Sequence, residues 1–242
     1  MAYLFDDASS QYIENLSAIV TGAPFSISCW FNSDDITQVQ TLVDIGDKDL
    51  SSDVQHHALL IVSSQVWALS QNVTNAQAVD TGAAMSSNVW YHAAGVWTNN
   101  ESRAAFRDGG NKGTEGTLKL PSGLDCTRFG KRANAVNTQY LSGKLAEVGI
   151  WDVALTDAEI AILGRGYSPY TVCPQSLVFY LPLVRGISDM SESLRTLTAY
   201  NTPTVSAHPR VLYPARVHSV DLSAGTAAAA RRAMMHYKRL RT

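Results

Sequence analysis

The stretch FSISCWFNS places Phe25, Ile27, Cys29 and Phe31 on one face and Ser26, Ser28, Trp30 and Asn32 on the other. This period-2 alternation predicts a strand with one buried face. QTLVDIG continues the pattern, and HALLIVSSQVWALSQ reads as a hairpin turning near residues 63–65. NVWYHAAGVWTN and SRAAFRDGGNKG follow, separated by a polar turn over residues 99–102. Asp108, Gly109 and Gly110 tolerate the positive φ angles of a tight hairpin. Strands recurring about every dozen residues with turn signals between them point to an all-β, two-sheet antiparallel sandwich.

The periodicity changes once, in YLSGKLAEVGIWDVALTDAEIAIL. KLAEVGIWDV alternates like a strand, whereas TDAEIAILGRG predicts a short helix. Thr156 followed by Glu159 forms a capping box, in which the hydroxyl bonds the N3 amide and the carboxylate reaches back to the cap. Ile160 and Leu163 give this helix an apolar face, and Gly164 or Gly166 can end it. SLVFYLPL returns as a late strand of the same sandwich. The Pro-containing segment after it predicts an extended run over the surface, and AGTAAAARRAMMHYKRLRT predicts a terminal helix. The chain thus divides into a domain over residues 1–183, an extended segment over 184–224 and a helix over 225–242.

Composition narrows the class. In 242 residues, 45% hydrophobic and 17% charged content fits a globular protein with a sizeable core. Neither a basic leader nor an apolar run of about 20 residues is present, so neither a signal peptide nor a membrane span is expected. Cys29, Cys126 and Cys173 are scattered without metal-ligand spacing and read as free thiols of a reducing compartment. Charge is lopsided. Residues 225–242 carry five basic groups and no acid, while residues 1–224 hold the other 14 basic groups and all 21 acidic ones.

Two motifs carry a family resemblance. NVWYHAAGVW followed by RAAFRDG is similar to a strand pair of laminin-G-like domains, and LSGKLAEVGIWDVALTDAEIAIL resembles their signature. The likeness spans residues 2–183 and implies a concanavalin-A-like jelly roll. MAYLFDDASSQYI and HPRVLYP resemble laminin-G-like proteins encoded by bacteriophages, which implies a virion protein made in the host cytoplasm. Trp90, Trp97 and Trp151 are expected in strands, burying aromatic area between the sheets. His92 is expected to be packed and hydrogen-bonded rather than catalytic.

Glycosidases share this fold, and retaining ones need two carboxylates about 5–5.5 Å apart. Glu147 shares its strand face with Gly149 and Trp151, and Asp152 points the other way, so no catalytic residue is assigned. Asp44, Asp47 and Asp49 could offer oxygen ligands to calcium. They lack EF-hand spacing, and a solvated acidic turn is the favoured reading, so no cofactor is assigned. His56 and His57 fall on opposite faces of a strand and cannot chelate together. No phosphate-binding glycine motif occurs.

On the tail, Ala230, Ala233, Met234, Tyr237 and Leu240 share one helical arc, while Arg231, Arg232, Lys238 and Arg239 share another. Nucleic acid, an anionic membrane or an acidic protein surface could each accept such a helix. A protein partner is favoured: a capsid or tail subunit, or sister copies in an oligomeric assembly. The leading expectation is a non-enzymatic virion structural protein, a role compatible with glycan binding. A carbohydrate-binding lectin or adhesin module is the alternative, and a glycoside hydrolase is disfavoured.

Overall fold

The computed structural model describes residues 2–52, 54–136, 138–184 and 186–213, and the tail residues 225–242 lie outside them. Fifteen strands and one α-helix occur among the described residues. In chain order the strands are β1 (Ala2–Phe5), β2 (Tyr12–Asn15), β3 (Phe25–Ser33), β4 (Gln40–Gly46), β5 (Gln55–Val62), β6 (Gln65–Asn72), β7 (Thr74–Val79) and β8 (Tyr91–Trp97). Then come β9 (Arg103–Arg107), β10 (Gly110–Glu115), β11 (Cys126–Phe129), β12 (Gly143–Trp151), the helix α1 (Asp157–Gly164), β13 (Leu177–Leu181), β14 (Thr198–Tyr200) and β15 (Thr204–Ser206). The first sheet runs β10-β9-β8-β3-β12-β1-β15, with β13 paired to the second half of β12. The second runs β14-β2-β11-β4-β5-β6-β7. Pairing is antiparallel throughout both sheets.

Alternation places the core between the sheets. Phe25, Ile27, Cys29 and Phe31 are each fully buried there, facing Val43, Ile45, Leu59 and Ile61. Burying each large apolar side chain contributes about 1.5–3 kcal/mol. The hairpin β5–β6 turns at Ser63 and Ser64, both at positive φ, and pairs His56 with Gln71 and Leu60 with Trp67.

The other face of β3 departs from the one-sided strand expected from alternation: Ser26, Ser28 and Asn32 are buried too. The chain after β12 folds back over that face. Ser26 Oγ donates to Val153 O at 2.8 Å and accepts from Leu155 N at 2.9 Å. A second apolar cluster forms there from Val96, Phe106, Trp151, Ile160, Leu163 and Tyr180. Of the three tryptophans, only Trp97 therefore fills the space between the sheets. Trp151 packs under α1 on the outer face, and Trp90 lies just before β8, half-buried.

Thr156 caps α1 as its spacing implies. Its hydroxyl accepts from Glu159 N at 3.3 Å, and the Glu159 carboxylate accepts from Thr156 N at 2.7 Å. Gly166, at φ 88°, follows the last turn. Gly164 lets the helix end rest on the β9–β10 turn, since a Cβ there would lie 2.3 Å from Gly109 N. Thr156→Ala is expected to destabilise the domain by about 1 kcal/mol; a denaturation midpoint equal to wild type would count against the cap.

Residues 198–206 join the sandwich of their own chain. β14 adds to β2 at one end of the second sheet, and β15 adds to β1 at one end of the first. At the opposite side the sheets are sealed by Thr81 N donating to Asn111 O at 2.9 Å and by the buried pair Arg107–Asp80 at 3.3 Å.

Candidate functional site

The outer face of the second sheet carries a row of charged side chains at odds with a simple solvated surface. Alternation puts Glu14 of β2, Arg128 of β11 and Asp44 of β4 in direct register across three strands. All three are buried, as is His56 of β5. Arg128 Nε donates to Glu14 Oε1 at 2.7 Å, and the second Glu14 oxygen accepts from Tyr200 O–H at 3.0 Å. The Arg128 guanidinium also packs 5.7 Å from the Tyr12 ring centroid. Its Nη1 donates to the carbonyls of Arg132 (3.1 Å) and Asn134 (2.6 Å). These bonds hold the loop after β11 down on the sheet. Gly46 permits the close approach, since a Cβ there would stand 2.5 Å from Ala133 O.

The loop so placed forms one wall of a groove of about 270 Å³. Val62 and Trp67 from the β5–β6 hairpin line its apolar side together with Leu60 and Leu69, which are buried. His56, Gln71, Asn75, Arg132 and Gln139 form its polar side. His56 Nδ1 meets both Asp44 oxygens, at 2.8 and 2.9 Å, and its Nε2 meets Gln71 Oε1 at 2.9 Å. Arg132 Nη2 donates to that same Oε1 at 2.8 Å, and the Gln71 amide nitrogen turns to Val73 O at 3.4 Å. The Gln71 oxygen therefore meets both His56 Nε2 and Arg132 Nη2. Two polar atoms of the groove residues are buried without a partner, Trp67 Nε1 and Arg132 Nε, and both are donors. An unpaired buried donor costs about 1–3 kcal/mol.

Of the three acidic residues singled out from the sequence, Asp47 and Asp49 come together and Asp44 does not join them. Asp44 sits beneath His56, on a strand face, whereas Asp47 and Asp49 lie in the loop beyond β4. The third carboxylate that approaches them is Asp125, brought in because β11 pairs with β4. One oxygen from each of Asp47, Asp49 and Asp125 falls within 4.8 Å of the others. Lys48 Nζ bridges Asp49, at 3.1 Å, and Asp125, so an ammonium already balances this turn. His56 and His57 do face opposite ways. His57 Nδ1 reaches Ser70 Oγ in the core at 2.8 Å, and that oxygen accepts from Trp97 Nε1 at 2.9 Å.

Glu147 lies beside Tyr180, on the face that α1 and its neighbours cover. It stands at φ 54° in a bulge of β12, buried, on the first sheet. Its carboxylate accepts from Tyr180 O–H at 2.6 Å and from Tyr213 O–H, and His208 Nε2 lies 3.1 Å away. Burial and the adjacent Glu147 charge raise the Tyr180 hydroxyl pKa, and burial with the hydrogen bond to Glu147 raises that of Tyr213. Both hydroxyls thus remain donors to Glu147. His92 is fully buried with its Nε2 2.8 Å from Ser28 Oγ, the packed role expected of it. The tail residues Arg231, Arg232, Met234, Tyr237, Lys238, Arg239 and Leu240 lie outside the described residues.

Sequence reading did not identify the groove. The hairpin turn at residues 63–64 already sets His56 opposite Gln71, so two of the groove's polar residues were available from register. Arg132 was not, because long-range bonds, those of Arg128 among them, bring its loop to β6.

No curated protein matches this sequence significantly. Among solved structures, a heptameric SAP-like pentraxin from Limulus polyphemus superposes with a TM-score of 0.58 at 14% identity, covering 80% of this chain and 87% of that one. The CBM40 of Ruminococcus gnavus IT-sialidase, bound to alpha2,3 sialyllactose, gives 0.52 at 15% identity over 60% of this chain and 84% of its own. Domain 4 of an extracellular GH43 arabinanase from Geobacillus stearothermophilus, in complex with arabinotriose, gives 0.54 at 18% identity over 67% and 76%. At these identities the likeness is one of fold. The laminin-G model described as the concanavalin A-like lectin/glucanases superfamily matches residues 7–161, more than half of the chain, and the protein belongs to that superfamily.

Proposed function

We propose that the protein is a non-catalytic carbohydrate-binding module whose ligand lies in the groove on the outer face of the second sheet. The observation that carries this reading is the pairing of an apolar wall, Leu60, Trp67 and Leu69, with a polar side that includes His56, Gln71 and Arg132. A sugar ring presents an apolar face and a polar rim, and such a site matches both. Structures of the same fold named as carbohydrate-binding, or solved with oligosaccharides, support it. Against catalysis stands the absence of any carboxylate lining the groove among the described residues. Asp44 is engaged beneath His56, and Glu147 is engaged on the other sheet.

Screening the full chain against a panel of neutral and acidic oligosaccharides tests the reading. Trp67→Ala is expected to weaken the strongest hit at least about tenfold, as loss of a central aromatic contact does, with an unchanged thermal midpoint. Glycan binding indifferent to that substitution would place the site elsewhere, and no binding at all would remove the reading. The virion location and the protein partner for the tail are carried into the same proposal: a displayed binding module anchored through residues 225–242. Co-sedimentation with particles in a density gradient is the measurement that decides them.

A further inference from the structure

We propose that the groove selects an acidic saccharide, with a sugar carboxylate held by Arg132 while the ring packs on Trp67. This specificity rests on the carbohydrate-binding reading of the same groove.

The argument begins with hydrogen-bonding direction. Both unpartnered buried polar atoms of the groove residues, Trp67 Nε1 and Arg132 Nε, can only donate. Gln71 Oε1, the acceptor between His56 and Arg132, already meets both of them. Asn75 and Gln139, which also line the groove, carry amides that both donate and accept, so the excess of donors comes from Arg132 and Trp67. Neutral sugar hydroxyls each bring a proton that needs an acceptor in turn. A carboxylate brings none.

Charge points the same way. The row beneath the groove is paired internally: Arg128 with Glu14 at 2.7 Å, and His56 with Asp44 at 2.8 Å. Arg132 stands apart from that row. It is half-buried, its Nη2 donates to the neutral Gln71 amide, and among the described residues no carboxylate lies within ion-pairing distance of it. A guanidinium presents a planar fork that matches the two oxygens of a carboxylate, and a partly desolvated ionic hydrogen bond is stronger than a neutral one. The loop that carries Arg132 is pinned from below by Arg128, so the fork is positioned before any ligand arrives.

The test uses the full chain and needs no variant for its first arm. Calorimetry with tri-galacturonic acid and with its fully methyl-esterified counterpart compares the same sugar with and without charge. 3′-Sialyllactose against lactose repeats the comparison on a second scaffold. At least one acid is expected to bind tenfold or more tighter than its uncharged counterpart, and this margin should shrink as salt is raised from 50 to 500 mM. Arg132→Gln, which keeps a donor but no charge, is expected to abolish the preference of each acid over its uncharged counterpart. Trp67-dependent binding of neutral sugars with no preference for either acid would overturn the acidic specificity and leave the binding function standing. Binding of none of the four sugars would overturn the specificity, and failure across the wider glycan panel would take the binding function with it. An undiminished preference in a folded Arg132→Gln would overturn the role of Arg132.

Discussion

Acidification from pH 6.5 towards pH 3 is expected to unfold this protein, through two histidines that the fold keeps neutral. His57 and His92 are both buried in the sandwich, and burial lowers each ring to about 3. His56 and Arg103 add a smaller repulsion at His57. His57 Nδ1 lies 2.8 Å from the Ser70 hydroxyl, which accepts from Trp97 Nε1 and still has its own proton to offer a neutral ring. In the unfolded chain both rings titrate near 6.5. Between about 3 and 6.5 the unfolded state therefore binds more protons than the folded one, so stability falls as the pH falls. It is fully present above 6.5.

Each histidine withdraws on the order of 4 kcal/mol across that window. Two of them together are comparable with the whole stability of an ordinary domain, about 5–15 kcal/mol. Urea midpoints measured from pH 7 to pH 4 should decline steeply. His92→Gln should be less stable than wild type at pH 7 and flatter below 6.5, since the amide can bond Ser28 without titrating. Parallel curves for the two proteins would show that His92 does not govern the acid transition.

Asp80→Ala should be among the most destabilising single substitutions, at about 3–5 kcal/mol, because it strands the buried charge of Arg107. Asp80 follows β7 and Arg107 ends β9, so their 3.3 Å contact ties one sheet to the other. The same carboxylate accepts from Val66 N at 2.6 Å and Gly82 N at 2.8 Å, which shapes the turn that leads out of β7. Arg107 lies against Gly82, where a Cβ would stand 1.7 Å from Nη2, and its Nη1 has no partner. That guanidinium depends on Asp80 for most of its compensation. The double variant Asp80→Ala with Arg107→Met should recover part of the loss, since an apolar side chain leaves no charge behind. Chemical denaturation of the two variants checks this, and a double variant less stable than the single one would refute the account.

Local patterns in the chain determined the strands and the helix. Period-2 alternation places Phe25, Ile27, Cys29 and Phe31 in the core, since a slip of one residue would turn all four outward. The Thr156 capping box and the Asp108–Gly109 turn are equally local, because all of their bonding partners lie within a few residues. The laminin-G-like motifs carried the fold class for the same reason: they are strand-and-turn patterns. Tertiary structure alone decided which distant side chains meet. Asp44 was grouped with Asp47 and Asp49 by proximity in the chain, yet strand alternation sends it under His56, and β11 pairing delivers Asp125 in its place. Glu147 meets His208 and Tyr213 from more than 60 residues away. Arg132 reaches Gln71 because Arg128 holds its loop by two backbone carbonyls. Periodicity tells a residue which face it occupies, but the neighbour it finds there depends on sheet order and loop placement, and those are settled by long-range contacts.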